Sequence, residues 1–380
     1  MPPNRFRPPF QLPGEHGSFA FMKTDFLIIG GGIAGVSAAA RLSHLGHVTL
    51  LETEDHLAHH ASGRSAALYE PFYGLPPIVA LSHASGDYLR TANGGVLSPR
   101  GMMIVAGPTE REAFDRDIKV MDLGEISFDE ALVHMPILNP ATVSFAAWAD
   151  HAWDIDTDLL IQNFLREARS NGATITTGAR VTSIAKTSGG WHVVTSKGEF
   201  EPRLLINAAG AWADEVASLA GIERLGFTPM RRSMARIPAP GGLDVSKWPM
   251  VFGVGESWYS KPDAGALIVS PAEEHPMDPH DAWADDMVLA EGLARYEDKV
   301  TEPVTRLITS WAGLRTFSPD RVPVIGFAPA EPSFFWLAGQ GGYGFQSSPA
   351  ISQLVADLIS GGKPSADEKT VAAVSPTRFA

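Results

Sequence analysis

The run Phe26-Leu-Ile-Ile-Gly30-Gly-Gly32-Ile-Ala-Gly35 constrains the fold of this chain more than any other feature. A strand is expected over 25–29, continuously apolar from Phe26 on, as in a strand buried on both faces of a parallel sheet. The spacing then predicts a helix over 33–45, closed by Gly46, and a second strand over 47–52. These elements make one right-handed β-α-β unit. Gly30 permits the tight turn after the strand, Gly32 lets backbone N–H groups approach a pyrophosphate, and Gly35 allows close packing of helix on strand. The anion sits at the helix N-terminus. Glu52 follows roughly 20 residues after the glycines, where a carboxylate accepts hydrogen bonds from a ribose. An adenine dinucleotide site accounts for all of these residues, whereas an ordinary glycine turn leaves Glu52 unexplained.

At 380 residues the chain is long enough for two domains and a large core. Its net charge of −13 argues against a broad nucleic-acid or anionic-membrane surface, although a local pair of arginines can still hold a small anion. The absence of cysteine excludes disulfides, thiolate metal sites and cofactor attachment through sulfur. His56 and the His275/His280 pair lack the spacing of metal ligands, so no metal is expected. Residues 1–21 are rich in Pro and Gly and resemble no secretory signal; they read as a disordered arm, or as lying upstream of a start at Met22. The most apolar window, 26–40, is too short for a span of ~20 residues. The expected location is cytoplasmic.

Further along, a helix is predicted over 159–170, a strand over 173–177, a hairpin over 181–195 around Ser188-Gly-Gly190, a strand over 203–207 and a helix over 212–220. A strand over 334–338, a glycine turn and a helix over 348–359 close the pattern. The intervening stretches are richer in Trp, Met and Pro. The expected fold is α/β (α+β overall): a Rossmann-type FAD-binding domain interwoven with a mostly antiparallel β-sheet substrate domain. The first is assigned 22–75, 151–225 and 309–380, the second 76–150 and 226–308.

The choice of dinucleotide rests on three later turns. Ala61-Ser62-Gly63-Arg64-Ser65 directly follows the second strand with hydroxyls and a cation. Asn207-Ala-Ala209-Gly210-Ala-Trp212 and Gly339-Gln-Gly341-Gly342-Tyr343-Gly344 supply two more small-residue strand ends that let backbone approach a flat ligand. Three such ends converging on one sheet edge fit FAD, bound non-covalently and extended.

The order of these motifs, with Ala312-Gly-Leu-Arg315, resembles the D-amino-acid oxidase superfamily, which includes glycine and sarcosine oxidases. Within it, Gly63-Arg-Ser-Ala-Ala67, Arg231-Arg-Ser233, Trp258-Tyr-Ser-Lys-Pro-Asp-Ala-Gly265 and Gln340-Gly-Gly-Tyr-Gly344 look like bacterial FAD-dependent D-arginine dehydrogenases, over nearly all of 22–380. The resemblance implies oxidative deamination of a D-amino acid. Hydride passes from Cα to flavin N5, and water hydrolyses the imino acid to a 2-oxo acid and ammonia. It implies cofactor contacts at Gly30, Gly32, Ile33, Ala34 and Gly35, then at Glu52 and Thr53. Further contacts fall on Ser62, Gly63, Arg64, Ser65 and Ala66, on Val181, and on Ala209, Gly210 and Trp212. The last group is Arg315, Gly341, Gly342, Tyr343, Gly344 and Gln346. At the substrate, Arg315 and Arg232 supply the bidentate fork that a carboxylate needs. Tyr73 and Tyr259 place hydroxyls beside it, and the Gly342 carbonyl accepts from the amine. Arg231 and Arg232 could instead form a surface pair.

Two departures bear on the substrate. Met102 stands where the D-arginine dehydrogenases carry an acid, and Leu68 where they carry a histidine. Both make the expected pocket more apolar, which predicts neutral or hydrophobic D-amino acids, because a guanidinium without a carboxylate loses its charge-assisted partner. Glycine, an N-methyl amino acid or a 2-hydroxy acid would need the same fork, and a non-catalytic electron-transfer flavoprotein is a further alternative. The electron acceptor, whether oxygen, a quinone or another molecule, stays open.

Overall fold

The computed structural model describes residues 22–380; the 1–21 segment expected as a disordered arm lies outside the described residues. The opening unit forms as its sequence dictates. Strand Met22–Ile29 leads through Gly30 (φ +113°) into helix Ile33–Leu42, and strand Val48–Leu51 pairs parallel to the first. The helix stops short of Gly46 because Ser43 to Gly46 turn back on its last carbonyls.

Strand Gly198–Asn207 pairs parallel along the other side of Met22–Ile29, and Thr174–Thr176 extends the sheet beyond Val48–Leu51. The far edge of Gly198–Asn207 is shared. Its start pairs with hairpin strand Gly190–Thr195, itself paired to Val181–Thr187, and its end with Glu331–Ala338. Val324–Ala328 completes this eight-stranded sheet by antiparallel pairing with Glu331–Ala338. Helices Ile33–Leu42, Thr157–Ser170 and Gly344–Ser360 bury one face; helix Ala213–Leu219 contributes to the core on the other.

Register places the cofactor turns. Ile29 lies beside Asn207, and Asn207 beside Trp336, so the three strands end in line. Gly30, Ala208 to Gly210, and Gly339 to Gly344 therefore emerge along one sheet edge, the carboxyl edge at which such sheets bind ligands.

The second sheet has nine strands. From one edge its path runs His275–Pro276, Thr228–Pro238, Ala266–Ser270, Tyr259–Asp263 and Met250–Gly253, then Met102–Ala106, Phe145–Ala149 and Gly124–Ile126. Every pair is antiparallel except Met250–Gly253 with Met102–Ala106. Strand Thr309–Phe317 pairs with Thr228–Pro238 along nine positions, so the sheet continues beyond residue 308. A small sheet of Leu68–Tyr69, Trp153–Ile155 and Leu97–Pro99 adjoins the two. Among the described residues no helix is long and apolar enough to cross a membrane.

Candidate functional site

Residues opposite one another in an antiparallel pair share a face, and that face alternates along the strand. Arg232 faces Gly313 and Met230 faces Arg315, so the two arginines project from the same side of the second sheet. Arg231 projects from the other side, where it meets Glu273 at 3.6 Å and His275 at 3.2 Å; the surface pair considered above does not form.

The dinucleotide half of the site is a trough along the carboxyl edge of the first sheet. It is lined by Gly30, Gly32, Glu52, Thr53, Ser62, Val181, Ala209, Gly210 and Trp212, among others. The glycines do what their spacing requires. A Cβ on Gly35 would lie 1.9 Å from the Gly30 carbonyl oxygen, and one on Gly30 2.2 Å from that of Ala208. The Ile33–Leu42 helix has no side-chain cap and no acidic residue in its first turn, which leaves its positive end available to a phosphate. Ser62 Oγ accepts from Ile33 N–H at 3.0 Å, tying the 61–64 turn to that helix. Glu52 accepts from Gly31 N–H at 2.8 Å and Glu54 N–H at 2.9 Å, which orients a carboxylate that has further lone pairs for a ribose. These residues fit an adenine dinucleotide.

The trough continues between the sheets, lined by Ile33, Ala34, Ser65, Arg232, Arg315, Gly341, Gly342 and Gly344. Gly342 approaches so closely that a Cβ there would lie 3.0 Å from Arg315 Nη1. Arg232 and Tyr343 also border a third cavity of about 610 Å³, which contains Phe72, Tyr73, Ile104, Phe252, Glu256 and Glu274. This is the candidate substrate chamber.

Its polar groups are unevenly satisfied. Arg232 is 2% exposed and reaches Glu274 at 3.2 Å, while its Nε and Nη1 have no partner. Glu274 also takes Arg321 at 2.7 Å. Among the described residues Arg315 has neither a salt bridge nor a side-chain hydrogen bond. The Tyr259 hydroxyl is buried without a partner. Tyr73 donates to Glu256 at 2.9 Å, and burial, with the Glu256 carboxylate beside it, lifts the Tyr73 hydroxyl well above its usual range. Two arginines and a phenol with free donors among the described residues can together hold an anion.

Several expected residues are held by the protein itself, Arg64 among them although it also lines both halves of the trough. The Arg64 guanidinium donates to the Ala282 and Ala312 carbonyls at 2.8 and 3.0 Å and pairs with Asp281, so it braces the second sheet against the 61–64 turn. Gln346 lies outside the trough; its amide accepts from Glu70 N–H at 3.1 Å and donates to the Tyr73 carbonyl at 3.4 Å. Gly63 allows the turn, since a Cβ there would sit 2.3 Å from the Ala58 carbonyl oxygen. Ala66 offers its carbonyl to Lys261, which also pairs with Asp154 at 2.8 Å.

Met102 and Leu68 do not line the chamber. Met102 is fully buried in the core, and Leu68 packs against the same cluster. Ile104 comes from the Met102–Ala106 strand instead, and carboxylates enter from the 254–256 turn and from Glu274. The argument for a neutral substrate from the missing acid therefore loses its basis. Glu256 lies two residues before Trp258-Tyr259, and Glu274 is the second of an adjacent acid pair; the pairing of distant segments, not local pattern, brings them in. The loop histidines form a self-satisfied group, with His60 bound to Glu54 and His59 to His56, each at 3.0 Å.

Comparison with known proteins agrees with this geometry. The family model described as FAD dependent oxidoreductase matches residues 25–358. FAD-dependent oxidoreductase domain-containing protein 1 of Bos taurus is 25% identical, covering 89% of this chain and 81% of that protein. A glycine oxidase of Pseudomonas aeruginosa is 26% identical, covering 91% and 97%. Among solved structures, L-alpha-glycerophosphate oxidase from Mycoplasma pneumoniae with FAD bound superposes with a TM-score of 0.80 at 24% identity, covering 93% of this chain and 99% of that one.

Proposed function

The chain belongs to the FAD-dependent oxidoreductase family, and from that premise we propose that it oxidises an amino acid of D configuration at its Cα–N bond. The carrying observation is Arg315, a guanidinium set against the Gly342 backbone with no ion pair among the described residues. A substrate carboxylate supplies a counter-ion and can reach Arg232 as well. Tyr73 and Tyr259 add hydroxyls to the same anion, and the Gly342 carbonyl accepts from the amine. FAD, when bound, supplies the two-electron acceptor. The chain holds the Cα–H in one orientation, and Phe252 and Tyr343 limit water around it. The products are an imino acid, two electrons and two protons; hydrolysis then gives a 2-oxo acid and ammonia. The D configuration draws support from the motifs shared with D-arginine dehydrogenases. The glycine oxidase likeness supports an amino-acid substrate.

The test is anaerobic mixing of the FAD-loaded protein with both enantiomers of a panel of amino acids, and with glycine, an N-methyl amino acid and a 2-hydroxy acid. Bleaching of the flavin by D-amino acids, with release of a 2-oxo acid, is expected. Bleaching by the L enantiomers or by the 2-hydroxy acid alone would overturn the reading.

A further inference from the structure

Outside the chamber, one buried carboxylate has no role in the reaction as derived. Glu70 is 2% exposed and accepts from His151 Nδ1 at 2.9 Å. Its other oxygen accepts from Phe72 N–H at 3.0 Å. Tyr73 N–H donates in turn to the Glu70 carbonyl at 3.1 Å, so one residue closes the turn that carries Phe72 and Tyr73 into the chamber. His151 comes from the second sheet's side, between strands Phe145–Ala149 and Trp153–Ile155. Its ring packs on Phe72 at 4.9 Å, and its Nε2 donates to the Asp122 carbonyl at 3.2 Å. Asp122 follows Val120 and Met121, which line the opposite chamber wall, and it adopts φ +56°.

We propose that His151 and Glu70 are positioning residues that tie the Phe72–Tyr73 wall to the Val120–Met121 wall and so set where Tyr73 meets a bound carboxylate. This rests on the chamber being the amino-acid site. The reasoning is geometric. Among the described residues the Tyr73 side chain makes one hydrogen bond, to Glu256 on a turn whose Gly255 and Glu256 both have positive φ, and its ring packs on Tyr343 at 5.1 Å. Among the described residues its backbone is held by Glu70 and Gln346. An imidazolium is the one side chain here that can donate to both Glu70 and Asp122, because a neutral ring has a single N–H. The charged groups facing it are Glu70 and Asp122, with His83 across the Phe72 ring at 5.1 Å. Consistently, the hydrogen bond to Glu70 raises His151 to about 9.

The experiment uses His151→Phe and Glu70→Gln in the FAD-loaded protein, with two readouts. Hydrogen exchange over residues 68–75 reports the wall itself: at least tenfold faster exchange is expected in both variants, with the first sheet unchanged. Benzoate, a carboxylate whose charge is constant over pH 6–10, reports the site through the flavin spectrum. The wild type is expected to bind benzoate at least fivefold more weakly as pH passes 9; His151→Phe is expected to bind weakly at pH 7 with no such limb. Unchanged exchange, or an intact limb in His151→Phe, would overturn the proposal. Faster exchange in a protein whose wild type is reduced by no amino acid would instead overturn the proposed function.

Discussion

Replacing Arg315 with Met separates ligand binding from stability. The guanidinium makes no ion pair or side-chain hydrogen bond among the described residues, and Tyr73, Tyr259 and Tyr343 act on it from close by. In the unliganded protein it is a half-buried charge without an ion pair among the described residues, so an apolar replacement of similar length should cost the fold little. With a carboxylate bound, it makes two charge-assisted hydrogen bonds of ~1.5–3 kcal/mol each, together ~3–6 kcal/mol. At ~1.4 kcal/mol per decade, Arg315→Met weakens amino-acid binding by roughly 10² to 10⁴. Arg232 retains part of the anion site, which places the expectation near the lower figure. The assay is anaerobic flavin reduction against substrate concentration, beside a thermal melt of the FAD-loaded protein without substrate. The apparent Kd should rise at least 100-fold while the melting temperature holds or rises. A variant that melts earlier and binds substrate like the wild type would show that Arg315 is a structural cation, and the anion-site reasoning would fail.

Tyr73→Phe removes a hydroxyl that donates to Glu256 at 2.9 Å without ligand and is expected to turn to a bound carboxylate; a loss of about 1–1.5 kcal/mol corresponds to a roughly 5- to 13-fold weaker carboxylate Kd, read by benzoate titration. Gly35→Ala places a Cβ 1.9 Å from a backbone oxygen, so the helix must leave the strand, at a cost of ~3 kcal/mol or more, and the protein should purify without its flavin. Arg64→Ala is expected to lower the melting temperature by several degrees through lost carbonyl contacts while one FAD per chain is retained; loss of FAD at unchanged melting would assign Arg64 to the phosphates after all. For pH, His151 is raised from 6.5 to about 9 in the fold, so its contribution is complete below ~6.5 and disappears as pH rises through about 9. Discounted for its partial exposure, that is about 1–2 kcal/mol, measurable by urea melts at pH 6.5 and 9.5 and absent in Glu70→Gln.

The cofactor half of the molecule was legible because its determinants are local. A strand, a tight turn and a helix follow one another within residues 22–42, and Gly35 is dictated by the Gly30 carbonyl of the same segment, with Ala208 entering from afar against Gly30. The three glycine-rich strand ends were likewise readable one at a time, and their register beside Ile29, Asn207 and Trp336 made one edge of them. The chamber was legible only where strand alternation could be applied, which puts Arg232 and Arg315 on one face and Arg231 on the other. It failed at Met102, because the right face of a strand does not fix which of its positions reaches the cavity: Ile104, two residues on and on the same face, does so instead. It also missed the partners of Gln346, which lies outside the trough, and of Arg64, which lines it: both polar heads find backbone partners across long sequence separations. Glu256, Glu274 and Glu70 were not singled out, for the same reason. A carboxylate acquires its role from what the fold sets opposite it. Here the opposites are Tyr73 for Glu256, Arg232 and Arg321 for Glu274, and His151 for Glu70, each brought from a distant segment. Backbone geometry for a large cofactor is thus written in glycines that can be read in order. Substrate choice depends on side chains whose meaning exists only after the two sheets have closed on one another.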